Sequence, residues 1–191
     1  MEENKKIDFD SLCVRAYQNA VKHGFHEQKH PPYHYMMLFV TELSEAVNAD
    51  RKGKYANRVM FEKNFDTPQP NPESHWRFCY EVFIKDTVED EFADAAIRIF
   101  DFVGLNESHI DDSLFTEAAY LELTEELKGH SFTEIMFCII LSLGNEDTAN
   151  ADSILYYLFA VAYYLGIDLL WHIEQKMKYN EMRPYKHGKK Y

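Results

Sequence analysis

The distribution of helix breakers constrains this 191-residue chain more than any other feature. It holds seven glycines and six prolines, and five of the prolines fall in two short stretches, 31–32 and 68–72. Between them run long segments free of both residues, which favours helices over a many-stranded β fold. The length suits one domain with a full core. Hydrophobic residues at 46% and charged ones at 27% describe a globular rather than a disordered chain. The reading is a single all-α domain over 1–191.

The helical periodicity starts at 9–23, where Asp10 or Ser11 is placed to cap and Leu12, Ala16 and Ala20 share a stripe before Gly24. Pro31 and Pro32 interrupt, and a second helix runs from 33 to about 51, ending in the basic turn Arg51, Lys52, Gly53, Lys54. Segment 55–74, with Pro68, Pro70 and Pro72, reads as a polar loop. One long periodic segment is expected over 76–103, with Cys79, Val82, Phe83, Ala95, Ile99 and Phe102 as core positions. Helical patterns resume at 113–128, at 131–143 behind a Ser131/Glu134 capping box, at 148–165 and at 168–180. The tail from Arg183, RPYKHGKKY, has Pro184 and Gly188 and reads as non-helical. The apolar stretch 153–170 contains Gly166 and Asp168 and reads as core, not as a membrane span.

Two of these helices carry an anomaly. Between Tyr33 and Ala49 the only charged side chains are Glu42 and Glu45, set in an otherwise apolar pattern. Residues three apart lie on one helical face, with Cβ atoms roughly 5–6 Å apart. Paired carboxylates there repel each other and resist desolvation, a conflict that a divalent cation removes. Glu91 and Asp94 repeat the arrangement, and Arg98 and Asp101 continue that face. The pairs Glu122/Glu125 and Asp86/Glu89 lie in charge-rich surroundings and read as solvated. Oxygen ligands from two facing helices, with no cysteine or required histidine beside them, suit a hard ion such as Mg²⁺, with Mn²⁺ as its substitute. A di-iron bundle needs two ExxH motifs; the chain offers one, Glu27 to His30, directly before the proline pair.

The net charge of −12 excludes a nucleic-acid duplex as the main partner. From Trp171 onward, however, six Lys or Arg face two Glu, which suits a small phosphorylated ligand. Cys13, Cys79 and Cys138 are odd in number and lack CxxC spacing, so a reducing cytoplasm is the simplest compartment. The charged N-terminus has no apolar stretch of a secretory signal.

These motifs together resemble the MazG-like, all-α nucleoside triphosphate pyrophosphohydrolases. The likeness is carried by ELSEAVNADRKGK from Glu42, EDEFADAAIRIFD from Glu89, and an ending with Lys176, Asn180, Arg183 and Pro184. The resemblance implies a helical bundle assembled as a homodimer or homotetramer. It also implies Mg²⁺-dependent cleavage of a nucleoside triphosphate between the α- and β-phosphates, giving a monophosphate and pyrophosphate. Glu42, Glu45, Glu91 and Asp94 would hold the metal and form the catalytic set. Lys176, Asn180 and Arg183 match substrate-binding positions, and Lys54, with Lys52, joins them by charge and position. Relative to short members of that family, about 105–150 is an extra helical insertion and 55–76 a longer loop. His26, Trp76 and the tyrosines are candidates to stack on a base, with core packing as the competing role of each. A nucleotide- or metal-binding regulator that turns nothing over, and a purely structural module, are the competing readings.

Overall fold

In the computed structural model, which describes residues 7–143 and 151–188, every regular element is helical. Helix α1 (Phe9–Lys22) begins two residues earlier than a cap at Asp10 would set it, and three earlier than one at Ser11. Its cap is Asp8, whose carboxylate accepts from the Ser11 amide at 3.0 Å. Helix α2 (Pro32–Arg51) starts on Pro32, where the missing N–H costs no hydrogen bond. It stops at Lys52 and Gly53, the latter at φ 64°.

Two expectations are corrected in the next stretch. The loop over 55–74 contains a short helix, α3 (Arg58–Lys63), capped by the Asn57 side chain on the Met60 amide. Of its apolar residues Val59, Met60 and Phe61, only Phe61 is buried, packed edge-on against Trp76 and Trp171. A single buried ring leaves no periodic signal to read. The segment 76–103, in turn, is two helices, α4 (Pro72–Phe83) and α5 (Val88–Leu105). The break needs neither glycine nor proline. Asp86 takes φ 60°, its amide donates to Asp90 at 3.0 Å, and Thr87 caps α5 through the Asp90 amide. Because α4 stands apart from α5, Val82 of the expected core is exposed and Phe83 is half-buried.

Helix α5 is the centre of the fold. Phe92, Ala93, Ala95, Ala96, Ile99, Phe100 and Val103 are buried around its circumference, and α1 and α2 pack against it. The stretch 105–150 contains helices α6 (Glu117–Leu127) and α7 (Phe132–Leu141), α7 with the Ser131/Glu134 capping box. Helix α8 (Ala151–Tyr164) packs on α5, α6 and α7, and α9 (Leu169–Glu181) lies on α5. The apolar run 153–170 is therefore not one element. Gly166, at φ 73°, and the Asp168 cap of α9 separate two helices bent by 113°. No single helix among the described residues is long and apolar enough to cross a membrane.

A smaller cluster of Phe61, Trp76, Cys79, Tyr80, Ile84 and Tyr179 ties α3 and α4 to α9. The tail also departs from expectation, since Tyr185–Gly188 is a 3-10 turn. Residues 1–6, 144–150 (with the expected helix start at Thr148) and 189–191 lie outside the described residues.

Candidate functional site

Packing of α2 on α5 brings the two acidic motifs together. Glu42 sits on the buried stripe of α2 with Phe39, Leu43 and Ala46, and Glu91 and Asp94 come from the first turns of α5. One carboxylate oxygen each from Glu42, Glu91 and Asp94 lies within 4.8 Å of the others. Glu42 is 2% exposed and Glu91 5%. Burial first, then the charge of Asp94, pushes the Glu91 carboxyl up to about 9. Glu45 is exposed and does not belong to this trio, although its charge adds to the rise at Glu91.

The donor set fits a hard cation: three carboxylates from two helices, two of them buried, with neither histidine nor cysteine among them. A second grouping, Asp86, Asp90 and Glu91, meets the same distance criterion. Asp90 is already committed there, which makes this the poorer cradle. The Tyr80 hydroxyl donates to one of its oxygens and the Lys176 ammonium to the other at 2.7 Å.

Helix α9 supplies the polar wall of the site. Lys176, buried at 4% exposure, bridges Asp90 and Asp94 at 2.7 and 2.8 Å. Burial alone would lower its pKa, but the two carboxylates hold the ammonium above its ordinary value. Asn180, one turn on, donates from Nδ2 to Asp94 at 3.4 Å. Arg183 lines a cavity beside Asp94, and its carbonyl contacts the His23 ring nitrogen at 2.9 Å. Lys54 and Lys52 are exposed where α2 ends. The Lys54 carbonyl accepts from the Val88 amide, which fixes the end of α2 against the start of α5.

Three participants carried too little signal in the sequence. Asp90 sits in the acidic first turn of α5, where carboxylates compensate the helix dipole. Its only hint is a place one turn before Asp94, on the same face. Arg98 reads as continuing the acidic face, but its partner lies on another helix. Nε and Nη2 both reach Oε1 of Glu42, each at 2.8 Å. His26 pairs through Nε2 with Asp101 at 2.7 Å, and burial raises the Asp101 carboxyl against that partner's pull. The cavity of about 50 Å³ lined by Asn19, Asp94, Arg98, Asp101, Asn180 and Arg183 joins these groups. Oδ1 of Asn19 and Oδ1 of Asn180 are buried with no protein hydrogen-bond partner.

Of the base-stacking candidates, Trp76 and His26 pack inward, whereas Tyr33, Tyr55, Tyr163 and Tyr185 are exposed. Trp76 stacks on Tyr80 with centroids 5.2 Å apart, and the His26 ring lies between Tyr17 and Tyr35. The lone ExxH is likewise engaged elsewhere: Glu27 meets Tyr185 and Lys186, and His30 stacks on His34.

Comparison of the chain with protein-family profiles, with curated proteins and with solved structures gives no match.

Proposed function

We propose that this chain is a Mg²⁺-dependent nucleoside triphosphate pyrophosphohydrolase of MazG-like type. One observation carries the reading. The two acidic motifs that suggest it in the sequence converge from α2 and α5 on one trio, Glu42, Glu91 and Asp94, with Lys176 and Asn180 of α9 against the same carboxylates. Glu42, Glu91 and Asp94 would hold the cation, with Glu45 at the exposed edge. Bound there, Mg²⁺ or Mn²⁺ would neutralise phosphate charge and make a water a better nucleophile.

The chain's own groups have separate tasks. Lys176, clamped by Asp90 and Asp94, fixes the rotamer of Asp94 rather than reaching for substrate. Asn180 and Arg183 border the cavity beside Asp94 and are the groups placed to meet phosphate oxygens. Lys54, exposed at the end of α2, lies outside this wall and offers only a surface charge.

The test is pyrophosphate release from a panel of ribo- and deoxyribonucleoside triphosphates. Glu42→Gln or Asp94→Asn is expected to abolish release while leaving the helical circular dichroism near wild type. Full activity in both variants would remove the carboxylates from the mechanism. One observation favours a second reading, a nucleotide- or metal-binding regulator without turnover. Glu42 and Asp94 are already neutralised, by Arg98 and Lys176 respectively. Nucleotide binding with no pyrophosphate released from any member of the panel would establish that reading instead.

A further inference from the structure

Of the charged groups at the carboxylate trio, Arg98 has no assigned task. It rises from α5 one turn after Asp94, and its fork closes on a single oxygen of Glu42. A cation on Glu42 and a guanidinium on Glu42 would compete for the same carboxylate. We propose that Arg98 is the resident counter-ion of Glu42 and must swing away, toward Asp101, before a divalent cation can load. This inference rests on the metal-site reading given above.

Three features support the exchange. The first is charge. Glu42 is 3% exposed at its side chain, and a carboxylate buried that far is costly without a countercharge, which the Arg98 guanidinium supplies. The second is room. Arg98 borders two small cavities, of about 50 and 20 Å³, and Asp101 borders both. The guanidinium therefore has space on the side away from Glu42 and a carboxylate within it. The third is a contrast. Lys176, the other cation of the site, is wedged between Asp90 and Asp94 and borders neither cavity. Of the two cations bonded to the trio, Arg98 is the one that shares these cavities with a second carboxylate. His26, which lines the smaller cavity with both groups, holds Asp101 through Nε2 at 2.7 Å.

Removing a unit charge a few ångströms from a ligand oxygen is enough for a tenfold change in cation affinity. The experiment is Mn²⁺ binding to the full chain without nucleotide, read from the electron paramagnetic resonance of free Mn²⁺. Arg98→Met is expected to bind Mn²⁺ about tenfold tighter than wild type or better. Arg98→Lys, which keeps the charge but loses the fork, falls between them. Equal or weaker binding by Arg98→Met overturns the inference. If wild type binds and Arg98→Met binds no tighter, this inference alone fails. If wild type is silent and Arg98→Met binds, the arginine blocks the site outright, which supports it. If neither binds, the metal-site reading fails together with it. Should Arg98→Met not fold by circular dichroism, Arg98→Lys decides: severalfold tighter binding supports the exchange, and unchanged affinity overturns it. Asp101→Asn removes the destination and is expected to weaken Mn²⁺ binding; unchanged affinity there overturns the swing.

Discussion

Burial and the neighbouring Asp94 push Glu91 up to about 9, so at neutral pH and without a cation this carboxyl keeps its proton. The pKa is raised relative to the unfolded chain, and the stabilised form is the neutral one. Its contribution is therefore full below about 4.5 and is lost as pH rises toward 9. Glu91→Gln is expected to flatten the fall in stability over that window, measured by urea unfolding without metal. A cation on Glu91 must also displace its proton. Calorimetry of Mn²⁺ binding at pH 7, in two buffers of different ionisation enthalpy, should report release of about one proton; none released would exclude Glu91 as a ligand. At Lys176 the effect is on folding. Lys176→Met strands Asp90 and Asp94 without their cation, a loss of about 3–5 kcal/mol by analogy with other broken buried pairs. Adding Asp90→Asn should recover part of it in a double-mutant cycle. The sequence exposes Glu42, Glu91 and Asp94 because an apolar helix has no other use for them. It hides Asp90 among the acids of a helix start, and it cannot show the Arg98 contact, which exists only once α2 lies on α5.

At the level of elements, most helices were legible because breakers and caps punctuate them: Gly24, the proline pair, Gly53, the Ser131/Glu134 box and Asp168. Where the punctuation was weak, the reading failed. The α4–α5 break rests on a left-handed Asp86 held by Asp90, and α3 rests on tertiary packing of Phe61. Gly104 shows a constraint of packing rather than of turn geometry. A Cβ there would lie 2.7 Å from the Cys13 carbonyl oxygen and 2.7 Å from Cβ of Tyr17, so α1 approaches α5 too closely for any side chain. Because the backbone of α1 is one of the two obstacles, no rotamer change relieves the contact. Gly104→Ala should gain helix propensity and still lose about 1–3 kcal/mol, the usual penalty of overpacking. Denaturant midpoints check this, and a variant as stable as wild type would mean that α1 can shift freely.

On the scale of the whole molecule, α1 and the turn after α9 close on each other. The His23 ring contacts the Arg183 carbonyl at 2.9 Å, and the Lys186 amide donates to the His23 carbonyl at 2.9 Å. Gly24, at φ 79°, lies so close to the Tyr185 ring that a Cβ would come within 2.3 Å of it. Arg15 reaches from α1 to Glu174 and Glu181. The exposed pairing of Tyr185 and Lys186 with Glu27 adds little on this scale. The bonds at the buried His23 matter more, at about 1 kcal/mol each. This closure also forms the wall of the cavity, because Asn19 comes from α1 and Asn180 and Arg183 from the end of α9. A chain ending at Met182 is thus expected to lose about 1–2 kcal/mol, and the Gly24 and Phe25 amides should exchange with solvent faster. Gly24→Ala reaches the same turn from the other side. It must displace Tyr185 and take up a left-handed backbone, so it should speed exchange at the same amides while leaving Arg183 in the chain. If nucleotide binding weakens in the truncated chain and holds in Gly24→Ala, the removed segment itself meets the ligand, with Arg183 its cavity-lining cation. If both weaken together, the closure that shapes the cavity is what matters, and if neither does, this wall is not part of the site.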